Sequence, residues 1–191
     1  MKFYFLGAFV LVAIMQWFIP LQMISSRETI LEEGKAFKFL TAPVDPADPF
    51  RGRYVALNFA ISEYNVKETG ELKRGPVYAS LTTDDSGYAK IKSLSTKPPS
   101  GTTDYFSADI NYIRTDSINT VFLTLPFDQY FMDEVKATAA ENVYRESSQV
   151  LNNRTYALVK ILNGEAVIQD VLINDTSIHY FVKKAILNPK N

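Results

Sequence analysis

Apolar and polar positions fall into two patterns along this 191-residue chain: one long apolar run at the start, then short alternating segments. The run reads MKFYFLGAFVLVAIMQWFIPLQMI, and no charged residue lies between Lys2 and Arg27. About 20 apolar residues in a helix cross the hydrocarbon core of a bilayer, and this run has that length. Trp17 lies near its outer end, where tryptophan is enriched at membrane interfaces. The pattern predicts a transmembrane anchor over residues 1–25.

A cleaved signal peptide and a plain buried helix are the alternatives to an uncleaved signal-anchor. The apolar part of a signal peptide is usually about 7–15 residues long and is followed by a small-x-small cleavage site. This run is longer, and Ile24-Ser25-Ser26 is a poor cleavage site. Lys2 and Arg27 specify the orientation only weakly, and we expect the start of the chain inside and the domain outside.

The segment after the anchor predicts a short helix and then strands. SSRETILEEGK reads as a polar helix that Ser26 caps and Gly34 ends. In KAFKFLTAP, alternation places Phe37, Phe39 and Thr41 on one face of a strand. Order resumes at RYVALNFAIS, a second strand whose apolar face has four members: Val55, Leu57, Phe59 and Ile61.

Three hairpins follow from alternation and turn residues. VYASLTT meets YAKIKSLS across Asp84-Asp85-Ser86-Gly87, and DYFSADINYIRT meets INTVFLTLPF near Asp116-Ser117. RTYALVKIL and EAVIQDVLI flank Asn163-Gly164, a pair that suits a type I′ turn. The tail IHYFVKKAILNPKN is interpreted as a further short strand.

The segment from Phe127 onward allows two interpretations. Apolar residues recur at helical spacing: Phe127, Phe131, Val135, Ala139 and Val143. Alternatively Tyr130-Phe131-Met132 finishes a strand, and the helix begins at Asp133. With either choice, residues 26–191 form one α+β domain of mostly antiparallel β-sheet with one or two short helices, preceded by the transmembrane helix.

Composition excludes several classes of function. With 20 basic and 21 acidic residues the net charge is −1, so nothing indicates nucleic-acid binding. The absence of cysteine excludes a thiol nucleophile, a disulfide framework, a thiolate metal site and a lipoprotein anchor. No phosphate-binding glycine motif occurs, so we expect no nucleotide, and we predict neither a cofactor nor a metal.

Titratable residues offer few candidates for catalysis. The single histidine, His179, is interpreted as a packed or exposed ring, because one histidine cannot make a His-based zinc site. Asp45 and Asp48, or Glu134, could in principle do acid–base work. The preferred interpretation is that aspartates in Asp-Pro units cap turns. Asp133 and Glu134 would favour a helix N-terminus through its dipole. The aromatic stretch FDQYF is interpreted as core, with an interface patch as the alternative.

The most distinctive segment is PVDPADPFRGRYVALNF, residues 43–59. Its three prolines each fix φ, so the corner loses less entropy on ordering than a flexible loop does. Gly52 supplies a positive φ or a close backbone approach before the strand. We interpret the corner as fixing the strand's register, with presentation of Arg51 and Tyr54 to a partner as the alternative.

This segment resembles the GDYXXLXY family of membrane-anchored bacterial proteins, whose fuller pattern is similar to P-V-D-P-R-D-x-F-R-G-D-Y-V-x-L-x-Y. The segments VYASLTTDDSGYAKI, QYFMDEVKATAAE and YALVKILNGEAVIQDVLIND are similar to later parts of the family. Three residues depart from the pattern: Ala47 replaces an arginine, Arg53 the motif aspartate and Phe59 the final tyrosine. Because a reversed charge at Arg53 should abolish essential chemistry, the family activity is either non-catalytic or lost in this chain, and we prefer the non-catalytic role. The matching residues are Pro43, Val44, Asp45, Pro46, Asp48, Phe50, Arg51, Gly52, Tyr54, Val55 and Leu57.

The resemblance implies an accessory protein of a family whose function is unknown, located in the bacterial inner membrane, with a single span and its domain on the periplasmic side. Its expected partner is an integral membrane protein with several spans. The alternatives are a hydrolase-like envelope enzyme that uses Asp45, Asp48 or Glu134, and a small-ligand or polysaccharide binder that uses exposed tyrosines. The candidate partner-binding residues are Asp45, Asp48, Arg51, Gly52, Tyr54, Leu57, Glu134 and Glu141.

Overall fold

A computed structural model of the chain describes residues 2–42, 54–116, 119–148, 150 and 153–187. The α-helices are α1 (Lys2–Glu33), α2 (Glu134–Ser148) and α3 (Ile178–Leu187), and a 3₁₀ turn spans Ala60–Ser62. The strands are β1 (Lys35–Ala42), β2 (Tyr54–Ala56), β3 (Asn58–Phe59), β4 (Glu63–Val66), β5 (Gly75–Thr83), β6 (Ala89–Ser95), β7 (Tyr105–Arg114), β8 (Asn119–Thr124), β9 (Gln129–Phe131), β10 (Thr155–Leu162), β11 (Glu165–Ile173) and β12 (Thr176–Ser177).

The apolar run forms the first part of α1, a continuous helix of 32 residues. Within the described ranges, α1 is the one helix long and apolar enough to cross a membrane. The predicted separate helix capped by Ser26 is wrong, because Ser26 lies inside α1. No glycine or proline stands between Pro20 and Gly34, so nothing interrupts the helical hydrogen bonds there. Gly34 ends the helix as predicted, and its N–H donates to the Ile30 carbonyl oxygen at 2.9 Å.

Two five-stranded sheets and a two-stranded ribbon make up the domain, and the strand pairs within them are antiparallel. We name the sheet with strand order β12-β11-β10-β1-β3 the anchor sheet, because its strand β1 follows α1 directly. The order β4-β8-β7-β5-β6 is the hairpin sheet, and β2-β9 is the motif ribbon. The predicted α+β class is therefore confirmed, as are the three hairpins. In the last of them, φ is 52° at Asn163 and 88° at Gly164, as a type I′ turn requires.

Aromatic rings fill the space between the sheets. Phe39 on β1 is fully buried, and its ring centroid lies 6.2 Å from Phe59, 6.1 Å from Phe106 and 4.9 Å from Phe127. These four side chains come from both sheets and from the loop before β9. Because burying each aromatic side chain contributes a few kcal/mol, on the order of 2–3, this cluster holds the two sheets together.

Two predictions of secondary structure are corrected. The tail is the amphipathic helix α3, which buries Ile178 and Val182, whereas a strand was predicted. The helical stripe from Phe127 is also wrong, since Phe127 lies in a loop and Phe131 in β9. The alternative, a strand followed by a helix after Asp133, is confirmed. In both segments the apolar run is short enough to fit the periodicity of a helix or that of a strand. Packing against neighbouring elements decides which one forms.

Candidate functional site

The described part of the motif, Tyr54 to Phe59, connects two sheets. Its first residues pair with β9 in the motif ribbon, and Asn58 and Phe59 pair with Ala42 and Thr41 of β1. Between the two pairings, the Leu57 N–H donates to the Asp128 carbonyl oxygen at 2.8 Å. One strand was predicted here; the chain instead forms β2, β3 and a 3₁₀ turn, because it leaves one partner strand for another.

The alternate residues of this segment are buried, as the pattern predicted. Val55 is 0% exposed, Leu57 3% and Phe59 4%. Phe59 packs edge-on against Phe127 at 5.4 Å, so the family's final tyrosine position is here a purely apolar core position. The described half of the motif therefore links two pairs of strands. The proline corner, to which the register interpretation applies, lies outside the described residues, so that interpretation stays a prediction.

Tyr54 lies on the other side of this strand, at the surface. Its ring is half-buried, and its centroid lies 5.6 Å from that of Phe131, its partner in the ribbon. The Phe131 side chain is 67% exposed, an unusual state for a large apolar ring outside α1. We call Tyr54 and Phe131 the motif face. Helix α2 packs beside it against β2.

FDQYF thus divides between core and surface. Phe127 and Tyr130 are 3% and 8% exposed, whereas Phe131 points outward because it alternates with Tyr130 along β9. The core interpretation is confirmed for Phe127 and Tyr130, whereas Phe131 is exposed and its role in an interface stays a prediction.

The remaining candidate residues are placed as follows. Glu134 is the first residue of α2, and Glu141 lies half-buried on the same helix. Asp45, Asp48, Arg51 and Gly52 lie outside the described residues. The structure therefore brings β2, which begins with Tyr54, against the helix that carries both glutamates, and Leu57 follows directly after β2.

Carboxylates in the described residues are engaged in local structure. Asp133 directly precedes α2, and its Oδ2 lies 2.6 Å from the Lys136 Nζ, which lowers the pKa of this carboxyl. Asp84 accepts from the N–H groups of Ser86 and Tyr88, both at 3.0 Å, and the Tyr88 bond is the main cause of its lowered pKa. Both groups stay ionised and hold a turn or a helix start, so neither is tuned as a proton donor near neutral pH.

A three-residue junction that the sequence did not reveal lies where β9, β11 and α3 meet. The Tyr130 hydroxyl lies 2.9 Å from Nε2 of His179 and donates to Oδ1 of Asp170 at 3.4 Å. Burial, with the nearby charge of Asp170, raises the pKa of Tyr130 to about 12. The phenol therefore remains protonated and serves as a hydrogen-bond donor, so the junction ties elements together. His179 is an exposed ring held by this contact, in line with its prediction.

A groove of about 360 Å³ opens beside β1, between β4 and β6. Its walls are mostly apolar, and Asp84 and Lys90 at its rim form an ion pair at 3.4 Å. The Tyr64 hydroxyl crosses between the two strands to the Lys92 carbonyl oxygen at 3.0 Å. Across the described ranges no group of three or more His, Asp or Glu side chains is placed to hold a metal ion.

The junction of α1 with the domain is the most constrained part of this arrangement. Ile30 is 3% exposed, although the helix is exposed from Phe5 to Thr29 apart from a partly covered Ala13. Arg27 Nη1 donates to the Ala166 carbonyl oxygen at 3.3 Å, and Lys160 Nζ donates to the Gly34 carbonyl oxygen at 3.0 Å. The last two turns of α1 are therefore part of the folded domain, while its apolar length stands free.

Comparison with known proteins gives one match. The model of a family described as GDYXXLXY protein matches residues 16–171, which includes the end of the apolar run, the corner and all strands up to β11. No curated protein and no solved structure matches the chain.

Proposed function

The chain belongs to the GDYXXLXY protein family, whose function is unknown, and from this premise we propose a non-enzymatic accessory role at the membrane. In this proposal α1 anchors the protein in the inner membrane of a bacterium by a single span. Residues 26–191 stand on the periplasmic side. The domain binds an integral membrane protein with several spans.

The observation that carries the proposal is the continuity of α1 with the domain. A signal peptide ends before the mature fold begins, but here α1 runs unbroken from the apolar run to Glu33. Its Arg27 binds the anchor sheet, its Ile30 is buried, and Gly34 directly after it accepts from Lys160 of the same sheet. Beyond Ile24, the helix extends for about 13 Å at 1.5 Å per residue. The domain is therefore held close to the membrane surface. At that distance, an integral membrane protein with several spans is the partner that it can reach most easily.

The motif face supplies the contact point in this proposal. Aromatic side chains are enriched at protein interfaces. Tyr54 belongs to β2, against which α2 packs, and the ring of its neighbour Phe131 is 67% exposed. Glu141 lies half-buried on α2, and in this proposal it belongs to the polar rim of the contact surface.

The catalytic alternative receives less support from the described residues. Tyr130 remains protonated. The Asp84 carboxylate binds backbone N–H groups of a turn, and the Asp133 carboxylate binds Lys136 at the start of α2. For ligand binding by tyrosines, a concave row of rings is needed. Tyr112 stacks on Phe122 of the hairpin sheet at 4.2 Å, whereas Tyr180 is exposed on α3, so these rings stand on separate elements.

Co-purification tests the proposal. The full-length chain is tagged at its N-terminus, extracted from native membranes with a gentle detergent, and analysed by quantitative mass spectrometry. We expect a protein with several spans to be enriched with it. Phe131→Ala should reduce that enrichment about fivefold or more, the effect of losing about 1 kcal/mol or more of binding energy.

The matched control is Tyr112→Ala, which truncates another exposed ring on the hairpin sheet. This variant should capture the partner as the unmodified chain does. Recovery of the chain alone at every expression level would contradict the proposal. Equal losses in Phe131→Ala and Tyr112→Ala would contradict the assignment to the motif face.

A further inference from the structure

Strand β11 carries both the membrane helix and the last helix of the chain. Arg27 of α1 binds the Ala166 carbonyl oxygen near the start of β11. At its other end, β11 pairs with β12 through Leu172 and Ile173, and α3 begins directly after β12. Between Ala166 and Leu172 lie about 20 Å of extended strand at 3.3 Å per residue. The two helices are thus attached to opposite ends of one strand.

The course of α1 shows which edge of the anchor sheet faces the membrane. Gly34 lies beside Ile161 and Lys160 of β10, in the middle of the sheet. Seven residues earlier, Arg27 has reached β11, the next strand outward. From Arg27 back to Phe5 the helix is exposed, apart from the partly covered Ala13. It therefore extends away from the domain past this edge. The membrane therefore lies on the β11 side, where α3 is attached.

Helix α3 has two distinct faces. Ile178 and Val182 are buried in the core, and Phe181 packs against it partly buried. The opposite face carries Tyr180, which is 60% exposed, and Leu187, which is 68% exposed.

Two lysines, Lys183 and Lys184, are exposed on the outer side of the same helix. Tyr180, Lys183 and Leu187 follow the i, i+3, i+7 spacing, so they share one stripe. Aromatic, aliphatic and cationic side chains on one stripe are typical of helices that lie in a membrane interface.

The orientation of α3 is fixed by the Tyr130 junction. His179, in its first turn, contacts the Tyr130 hydroxyl at 2.9 Å, and the same hydroxyl donates to Asp170 of β11. Because Ile178 and Val182 are buried, the outer stripe cannot turn inward without losing these contacts.

We propose that the outer stripe of α3, formed by Tyr180, Lys183 and Leu187 with Lys184 beside it, lies on the surface of the membrane and binds anionic phospholipid headgroups. The two lysines neutralise headgroup phosphates, and the ring and the leucine enter the interface. Together with α1 this gives the domain two points of membrane contact and fixes its tilt. The proposal rests on the membrane anchoring proposed above.

Single-cysteine labelling tests this inference, because the native chain has no cysteine. Full-length Tyr180→Cys carries an environment-sensitive NBD dye in vesicles of phosphatidylcholine with about 30% phosphatidylglycerol. Quenching by lipids spin-labelled near the headgroup reports contact with the bilayer. Tyr112→Cys, on the hairpin sheet, is the control. We expect quenching at position 180 to be at least about twice that at position 112.

A charge variant separates lipid binding from other contacts. Lys183→Gln with Lys184→Gln in the Tyr180→Cys chain should lower the quenching to about half, since each lysine near an anionic surface favours contact. Equal quenching at positions 180 and 112 in vesicles that retain the protein would overturn the inference and leave the anchor intact. A dye at position 180 that is shielded from water but not reached by quencher lipids would show a protein contact, and this too would overturn it. Loss of the chain from floated vesicles would contradict the anchor itself.

Discussion

The Arg27 guanidinium donates to the Ala166 carbonyl oxygen across 139 residues of sequence and 3.3 Å of space. This hydrogen bond joins α1 to β11, and Ile30, about one turn further along the same helix, is buried. A hydrogen bond from a charged donor is stronger than one between neutral groups. The last turns of α1 are therefore packed against the domain.

The backbone is so closely packed at the end of α1 that adding a single methyl group tests the packing. A Cβ at Gly34 would lie 2.3 Å from the Ile30 carbonyl oxygen and 3.1 Å from the Ile161 carbonyl oxygen. Gly34→Ala should therefore lower the free energy of unfolding by about 1–3 kcal/mol, because both contacts are backbone atoms that cannot move aside. Gly7→Ala meets nothing within 4 Å and is the control. Urea unfolding in detergent, followed by circular dichroism, measures both; equal stabilities would contradict the tight junction.

Two hairpin turns offer a matched pair of glycines, one between β10 and β11 and the other between β5 and β6. Gly164 and Gly87 both have positive φ, 88° and 81°, so alanine is strained at each by about 1 kcal/mol. A Cβ at Gly164 would also lie 2.9 Å from Cε2 of Tyr105, whereas Gly87 has open space. Gly164→Ala should be the more destabilising by about 1 kcal/mol or more. The melting temperatures of the two variants are compared. An equal decrease in both would show that the Tyr105 side chain moves aside at no cost in stability.

The Tyr130 junction predicts a dependence of stability on alkaline pH. The folded state holds the pKa of Tyr130 at about 12, above the ordinary value of 10.0, by burial and by the Asp170 charge. Its contribution to stability is thus complete below pH 10 and is lost as the pH rises through 12. Between pH 9 and pH 11.5 the free energy of unfolding should fall less in Tyr130→Phe than in the unmodified chain.

Tyr112→Phe is the control for this measurement, because Tyr112 is exposed on the hairpin sheet. It should follow the unmodified chain at each pH. The same slope in Tyr130→Phe and the unmodified chain would contradict the assigned role of the phenol. Urea titrations at four or more pH values, repeated in each variant, supply the slopes.

The orientation across the membrane can be measured in living cells. In spheroplasts, Tyr112→Cys should react with a membrane-impermeant maleimide, and Lys2→Cys should react only after lysis. Both substitutions change exposed or terminal positions outside the core. The reverse pattern would place the domain in the cytoplasm and contradict the proposed location.

Local signals in the sequence were sufficient for much of this fold. Asp-Asp-Ser-Gly and Asn-Gly determine their turns by backbone preference, and the alternation of Phe37 and Phe39 determines which face of β1 is buried. Such signals act between near neighbours in the chain, and they need no knowledge of the tertiary partner. The uninterrupted apolar run predicted a membrane-crossing helix in the same way.

The errors concern elements whose partner lies far away in sequence. After Leu57, whose N–H binds the Asp128 carbonyl oxygen, the chain leaves β9 and Phe59 pairs with Thr41 of β1. The motif itself contains no signal for either partner. Helix α3 follows a short strand, and its sequence pattern also fits a strand. The helix is favoured because it buries Ile178 and Val182 in the core. The Tyr130–His179 contact combines residues 49 positions apart, and no spacing rule links a tyrosine to a histidine at that distance.

Native mass spectrometry of the complex purified from membranes tests the central claim most directly. The tagged full-length chain, extracted in a gentle detergent, is weighed intact together with whatever remains bound to it. We expect a mass that includes residues 1–24 and a stoichiometric partner with several membrane spans. A chain that lacks the leading helix, or an intact chain without a partner in every preparation, would contradict the proposal.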